Sequence, residues 1–62
     1  MKHLCPVCGK HNFSEYDSYE YCPECGWQDD GFQESEPDFE GGANDMSLLQ
    51  AREAYKKGLP IE

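Results

Sequence analysis

The clearest hydrophobic pattern in the chain lies near its C-terminus, where apolar residues recur at helical spacing. At about 100° per residue, four of them share one face: Leu48, Ala51, Tyr55 and Leu59. Ser47 followed by Gln50 fits a capping box, and Gly58 and Pro60 end the pattern. Two nearby residues compete with Ser47 as the N-cap, Asn44 and Asp45. The pattern predicts an α-helix over residues 46–58 whose apolar face packs on the rest of the chain.

A second pattern, HNFSEYDSYEY at residues 11–21, intersperses aromatic and polar residues as short strands do. It predicts two short strands joined around residues 17–18. A two-residue turn would place Glu15 opposite Glu20, and like charges directly opposite each other across two strands are unfavourable. A three-residue loop avoids this contact. The favoured register therefore has two other cross-strand pairs, Phe13 with Tyr21 and Glu15 with Tyr19.

The chain is short for a domain that folds on an apolar core alone. It has 62 residues, its hydrophobic fraction of 37% includes four cysteines, and its mean hydropathy is −0.90. A domain of this size buries only about 60% of the surface of its unfolded chain. Scaffolds in this range usually add disulfides, a metal ion or a partner chain.

One motif occurs twice, as CPVCG at residues 5–9 and as CPECG at residues 22–26. In each copy proline fixes φ, and glycine allows the positive φ with which the chain leaves the second cysteine. The 13 residues between the two pairs are enough for a hairpin that folds one turn back onto the other. Four thiolates held together need a cation, and tetrahedral Zn²⁺ is the usual one. The motif predicts one zinc ion with four ligands: Cys5, Cys8, Cys22 and Cys25.

Other interpretations of the cysteines are weaker. No secretory h-region indicates an oxidising compartment, which disfavours a disulfide framework, and a thioredoxin-like motif needs a βαβ setting that the chain does not offer. Iron in a rubredoxin-like electron carrier remains the alternative, since four sulfurs bind iron and zinc with similar geometry. His3 and His11 lie outside the two motifs and are expected to be solvent-exposed.

The net charge of the chain disfavours some classes of binding partner. Its formal net charge is −8, from 13 acidic and 5 basic residues. Four thiolates with one Zn²⁺ would lower that charge to about −10. Nucleic-acid binding needs a positive face, so we expect none. No apolar run is long enough for a membrane helix, and we expect a cytoplasmic protein.

Acidic residues are densest in DDGFQESEPDFE at residues 29–40. This segment is either a solvated loop or a surface that attracts a basic protein. Its carboxylates do not follow EF-hand spacing. We expect an ordered loop with Phe32 or Phe39 tucked beneath it. The candidate partner-binding residues are Trp27, Asp29, Asp30, Phe32, Glu34, Glu36, Asp38 and Phe39.

Two residues near this segment have predicted structural roles. Trp27 directly follows the second motif and is expected to shield the metal site and join the core, with a partner-binding anchor as the alternative. Arg52 lies at the edge of the apolar helix stripe. We expect its stem to pack while its guanidinium forms an ion pair with Asp29 or Asp30.

The order of these motifs resembles a known family. The run CPVCG, then YEYCPECGWQDD, then PDFEGGANDMSLLQAREAY is similar to the cysteine-rich CPCC family of small bacterial proteins over residues 5–55. Val7 stands where that family usually has a third cysteine in its first motif. The resemblance therefore implies a four-sulfur site without an additional redox thiol. It also implies a small zinc-ribbon-like domain and makes the W-x-D-D and GGAN segments candidate surfaces.

Together these observations predict one small metal-stabilised domain over residues 1–62. Its expected parts are a zinc-ribbon-like β-hairpin carrying two zinc knuckles at 5–28, an acidic loop at 29–45 and a single C-terminal helix packed on them. No pairing of nucleophile and base indicates an enzyme, and a small-molecule substrate is not expected. The predicted function is a protein-protein interaction module, such as an inhibitor or immunity protein for a basic partner.

Overall fold

Each C-P-x-C-G turn closes its own small hairpin in the computed structural model, which describes residues 3–61. Strand β1 (His3–Leu4) pairs antiparallel with β2 (Asn12–Phe13) around the first turn. A single antiparallel bridge joins Tyr21 to Gln28 around the second turn. The chain then forms helix α1 (Gly31–Ser35) and helix α2 (Leu48–Lys57). The structure thus has a two-stranded antiparallel hairpin beside the cysteines and a C-terminal helix, as predicted in outline.

The predicted strand pairing between the two motifs is wrong. Phe13 pairs with His3 rather than with Tyr21. The backbone of Asp17 and of Tyr19 is left-handed, with φ of 59° and 61°, so the segment cannot continue as a regular strand.

The loop between the two hairpins is held by side-chain hydrogen bonds, not by the backbone hydrogen bonds of paired strands. The amide and hydroxyl of Ser14 donate to the carboxylate of Glu20 at 2.9 and 2.8 Å. These two bonds hold the pKa of Glu20 below its usual value, although burial opposes the shift. The loop is therefore ordered by charge-assisted hydrogen bonds that a search for strand patterns does not anticipate.

Asp29 joins this loop to the second hairpin. Its backbone exchanges hydrogen bonds with the 19–20 segment, from Tyr19 N–H to the Asp29 carbonyl at 3.0 Å and from Asp29 N–H to the Glu20 carbonyl at 2.8 Å. Its buried carboxylate accepts from the amide of Ser18 at 2.9 Å and from the hydroxyl at 3.1 Å. The first aspartate of the W-x-D-D motif therefore has a structural role, because it joins two segments of the chain inside the molecule.

The predicted acidic loop contains the short helix α1, which the sequence did not indicate. Asp30 is its N-cap, and its carboxylate accepts from the amides of Phe32 at 2.9 Å and Gln33 at 3.3 Å. Five residues are too few to show a helical repeat of apolar positions. A capping aspartate was the only local signal.

The GGAN segment fits into the space beside α1. The side-chain amide of the buried Asn44 accepts from Gln28 N–H and donates to Gln28 C=O, both at 2.8 Å, so it completes the backbone bonds of the second hairpin. Gln33, fully buried, accepts from the backbone and side-chain amides of Asn44 at 3.0 Å each. A Cβ on Gly42 would lie 2.7 Å from Asp30 Oδ2 and from Gln33. The close approach explains a glycine there.

Both termini of helix α2 have the capping residues that the sequence predicts. Ser47 and Gln50 form both bonds of the capping box, and Gly58 takes the left-handed conformation at the C-cap. The predicted apolar face is only partly right: Leu48 and Ala51 are buried, Tyr55 is half-buried and Leu59 is exposed beyond the helix end. The buried core consists of Cys5, Phe13, Cys22, Trp27, Leu48 and Ala51. Neither helix within residues 3–61 has the length and apolarity that a bilayer crossing requires.

We predict that Asn44→Ala lowers the stability of the metal-loaded protein by about 2–4 kcal/mol. The substitution leaves two backbone groups of Gln28 without a partner and removes one of the two hydrogen bonds that Gln33 Oε1 accepts. A buried polar group that loses its partner costs about 1–3 kcal/mol. Thermal unfolding followed by circular dichroism measures the change. Asn12→Ala, on an exposed position of β2, is the matched control and should change the melting temperature little. Equal melting temperatures for the two variants would contradict the assigned role of Asn44.

Candidate metal centre

The two turns bring the four cysteine sulfurs together. Cys5 Sγ lies 3.6 Å from Cys25 Sγ, and Cys8 Sγ lies 3.6 Å from Cys22 Sγ. All four sulfurs lie within 4.8 Å of one another. Metal–sulfur bonds of about 2.3 Å in a tetrahedron give sulfur–sulfur separations of about 3.8 Å, whereas a disulfide needs about 2.05 Å. The residues present therefore fit a metal ion with four sulfur ligands, and the predicted ligand set is brought together.

Both turns use the same backbone bonds to present their cysteines. Gly9 N–H donates to the Cys5 carbonyl at 3.0 Å, and Gly26 N–H donates to the Cys22 carbonyl at 2.8 Å. A second backbone hydrogen bond closes each turn. Cys5 N–H donates to the His11 carbonyl, and Cys22 N–H donates to the Trp27 carbonyl, both at 2.8 Å. Because the sequence repeat is also a structural repeat, the two turns supply two sulfurs each from equivalent positions.

Backbone amides point at the sulfurs. In the first turn the amides of Val7 and Cys8 face the sulfur of Cys5, and Lys10 N–H lies 3.4 Å from Cys8 Sγ. The second turn repeats this arrangement. The amides of Glu24 and Cys25 face the sulfur of Cys22, and the amide of Trp27 faces the sulfur of Cys25, at the same separations along the sequence as in the first turn. An amide hydrogen bond stabilises a thiolate relative to a thiol, so the turns are built to carry negative charge on sulfur.

The thiols nevertheless differ in their affinity for protons. Burial raises the pKa of Cys5 and of Cys25 above the usual value for a thiol. Burial acts on Cys22 as well, but the amides of Cys25 and Glu24 and the neighbouring thiols together lower its pKa. A bound cation must therefore displace protons from sulfurs that otherwise hold them at neutral pH.

The core and helix α2 cover the inner side of the centre. Cys5 and Cys22 are buried, while Cys8 and Cys25 are half-buried. Half-buried apolar side chains pack against the same cluster: Val7, Met46 and Ile61. Trp27 is fully buried in this cluster, as expected for a residue that shields the site. The centre is thus continuous with the core, so metal binding and core formation depend on each other.

The predicted ion pair of Arg52 is not what the structure shows. Its Nε donates to the carbonyl of Pro6 at 2.8 Å and so ties α2 to the first cysteine turn. Asp29 and Asp30 are occupied elsewhere, by Ser18 and by the α1 N-terminus with Ala43 N–H. The cause is geometric, because both aspartates are buried, whereas Arg52 lies on an exposed position of α2 beside the first cysteine turn.

The candidate partner-binding residues differ in how far they are exposed to solvent. Trp27, Asp29 and Asp30 are buried, so they cannot form an exposed surface. Glu34 is half-buried, and its Oε1 lies 3.0 Å from His3 Nε2. The remaining four are exposed: Phe32, Glu36, Asp38 and Phe39. The expectation that Phe32 or Phe39 is tucked beneath the segment is therefore wrong.

Sequence reasoning missed three residues that position the centre and the acidic segment. Gln33 and Asn44 gave no signal beyond polarity, because a buried amide pair has no motif of its own. His3 is half-buried rather than exposed, with its ring 5.1 Å from that of Tyr16 in an edge-to-face contact. His3 Nε2 also lies 3.7 Å from the buried Oδ1 of Asp29.

Comparison with known protein families agrees with these features. A family described as Cysteine-rich CPCC matches residues 3–58, which is most of the chain. The match spans both cysteine turns, α1, the GGAN segment and α2. The resemblance inferred from the motif order is therefore confirmed. No curated protein matches the sequence.

We predict that Cys8→Ser lowers metal affinity by more than about 100-fold, since even outer partners of a ligand are worth about 10–100-fold. Competition with a chromophoric chelator for Zn²⁺ measures the change. Glu24→Ser is the matched control, because it places a serine on the exposed central position of the second turn and keeps all four sulfurs. If Cys8→Ser and Glu24→Ser bound the metal equally, Cys8 would not be a ligand.

We predict that metal affinity rises with pH through the neutral range. The raised pKa values of Cys5 and Cys25 mean that protons compete with the cation below those values, so affinity falls as the pH falls. Calorimetric titrations in two buffers of different ionisation enthalpy measure the protons released. We expect about two or more per metal ion at neutral pH. Affinity independent of pH between about 6 and 8 would contradict this assignment.

Proposed function

The chain belongs to the cysteine-rich CPCC family, and we propose that it is a small zinc-stabilised protein-protein interaction module that docks on a basic partner. In this proposal Cys5, Cys8, Cys22 and Cys25 hold one Zn²⁺ in a zinc-ribbon-like domain whose turns act as zinc knuckles. A closed four-sulfur site is typical of structural zinc, since catalytic zinc keeps an open position. The metal would supply folding free energy rather than chemistry.

The observation that carries the proposal is the separation of charge along the chain. Residues 11–51 contain 11 of the 13 acidic residues and no lysine or arginine. The basic residues of the described part of the chain lie on the first cysteine turn and on α2: Lys10, Arg52, Lys56 and Lys57. Lys10 lies over the ring of Tyr55 at 5.7 Å, and Arg52 bonds to Pro6. A large acidic surface steers basic proteins toward it.

One concrete form of this function is an inhibitor or immunity protein that covers the positive cleft of a partner. A nucleic-acid-binding cleft is lined with cations that neutralise phosphates, and a compact acidic domain can occupy such a cleft in place of phosphate. The proposal includes no catalytic step.

An iron-dependent electron carrier is the second candidate function. The amides directed at the sulfurs of both turns favour it, because hydrogen bonds to sulfur tune the potential of an iron–sulfur centre. Protein purified from the native cell separates the two candidates. Zinc gives a colourless protein, and ferric iron bound by four thiolates gives a red one. Elemental analysis of the same sample identifies the metal.

The proposed interaction predicts a salt-sensitive basic partner in the native cell. Tagged wild-type protein should retain such a partner at low salt and release it at about 0.5 M salt, where exposed charges are screened beyond about 4–5 Å. The Cys8→Ser variant should retain much less, because its domain lacks a metal ligand. Asn12→Ala, on an exposed position of β2, keeps all four sulfurs and every charge and should behave as wild type. Capture that resists salt, or partners that are acidic, would contradict the proposal.

A further inference from the structure

Two phenylalanines form an exposed aromatic pair on the acidic side of the molecule. Phe32 is 57% exposed and Phe39 is 40% exposed, although both are large apolar side chains. Their ring centroids lie 4.9 Å apart at an interplanar angle of 89°, an edge-to-face contact. An exposed apolar patch with a polar rim commonly marks an interaction site. We call Phe32 and Phe39 the Phe pair.

Buried groups hold the Phe pair from beneath. Phe32 N–H donates to Asp30 Oδ1 at 2.9 Å, and the carbonyl of Phe39 accepts from Gln33 Nε2 at 3.1 Å. Asp30 and Gln33 are both buried, and Gln33 is also bonded to Asn44. The backbone beneath both rings is therefore fixed before any partner arrives. Preorganisation of this kind lowers the entropic cost of binding.

Two carboxylates lie in the turn that connects the two rings. Glu36 N–H donates to the Phe32 carbonyl at 2.9 Å, and Phe39 N–H donates to the Glu36 carbonyl at 2.9 Å. Glu36 and Asp38 are both exposed, and within residues 3–61 neither carboxylate has a hydrogen-bond or ion-pair partner.

The other acids of residues 29–40 differ in this respect. Asp29 and Asp30 accept backbone amides, Glu34 lies against His3, and Glu40 accepts from Gln50 Nε2 at 2.8 Å. The two acids that are left without a protein partner, Glu36 and Asp38, both lie between Phe32 and Phe39 in the chain. The unpaired negative charge of the segment therefore lies in the turn that connects the two rings.

We propose that the Phe pair, with Glu36 and Asp38, is the docking site for an arginine-bearing basic segment of a partner protein. The face of an aromatic ring attracts a cation. The planar guanidinium of arginine both stacks on a ring and donates hydrogen bonds to a carboxylate. This inference deepens the proposed function and rests on it, since it names the surface and the chemistry that the basic partner would present.

Charge favours a foreign segment over a second copy of this chain as the occupant. Each copy has a formal net charge of −8, so two copies repel each other. The arginine of this chain is already bonded to the carbonyl of Pro6, and Lys10 lies over Tyr55. Self-association through the Phe pair would have to break such contacts.

The test is an NMR titration of the zinc-loaded protein with a synthetic peptide of alternating arginine and alanine. We expect shifts at the ring signals of Phe32 and Phe39 and at the backbone amides of Glu36, Asp38 and Phe39. Phe32→Ala should weaken binding about tenfold, a size consistent with a cation–π contact that is partly desolvated. Glu36→Gln with Asp38→Asn should weaken binding and flatten its dependence on salt.

Two control variants make the result specific. Tyr21→Ala removes an aromatic ring that is 69% exposed on the second hairpin, and Glu53→Gln removes an exposed acid on α2. Both should bind the peptide as wild type. A peptide of alternating glutamate and alanine should not bind. Unchanged melting temperatures confirm that the Phe32→Ala variant is folded, and Phe39→Ala provides a second test of the pair.

Three outcomes would overturn the site. They are peptide shifts confined to other surfaces, equal affinity for Phe32→Ala and Tyr21→Ala, and a concentration-dependent dimer in sedimentation that Phe32→Ala abolishes. The native partner separates this failure from that of the proposed function. If the Phe32→Ala protein still captures a salt-sensitive basic partner, the module stands and the assigned surface is wrong. If wild-type protein captures none, the proposed function itself is wrong.

Discussion

The close approach of four cysteine sulfurs is the constraint on which the structure depends. The two turns place these sulfurs within 4.8 Å of one another, inside the same cluster that buries Phe13 and Trp27. A cation bound there would replace the thiol protons and attract all four sulfurs, and structural zinc contributes about 10–16 kcal/mol in zinc-finger peptides. Because the sulfurs and the core share one cluster, a bound metal would stabilise the apolar packing as well as the turns. A chain with so few buried residues would otherwise be only marginally stable.

The remainder of the fold is joined to this centre by polar groups rather than by additional apolar surface. Asp29 bridges the second hairpin to the preceding loop, Asp30 begins α1, and the Gln33–Asn44 amide pair connects α1 to the backbone beside Trp27. Asp30, Gln33 and Asn44 are matched to backbone donors or acceptors, which limits the desolvation cost of placing them inside. In Asp29, Oδ2 accepts from Ser18, whereas Oδ1 lies 3.7 Å from His3 Nε2 without a hydrogen bond. The network therefore gives an irregular segment a defined conformation, and it does so with few side chains.

The sequence determined some parts of this picture in advance because they follow local rules. Each cysteine turn, the capping box at Ser47 and the left-handed Gly58 depend on residues a few positions apart, and the clustering of the four cysteines was predictable from the repeated motif. The strand pairing, the position of Arg52 and the burial of Asp29 were not. Each depends on which distant groups compete for one partner: His3 takes the place beside Phe13, and Pro6 accepts from Arg52. Helix α1 was missed for a different reason, since five residues leave no periodic signal.

The acidic residues of the chain do not share one physical role, and the division among them bears on function. Those at 29 and 30 are buried acceptors that a neutral amide could not replace without losing the charge assistance to backbone donors. The carboxylates at 36 and 38 have no hydrogen-bond or ion-pair partner among residues 3–61, and both residues lie between two exposed rings in the chain. Solubility alone accounts for exposed carboxylates, but it does not account for the aromatic rings between which they lie, since exposed apolar surface opposes solubility. The proposed docking site accounts for the combination, because a surface that binds another molecule needs apolar rings, and its negative charge would favour positively charged partners.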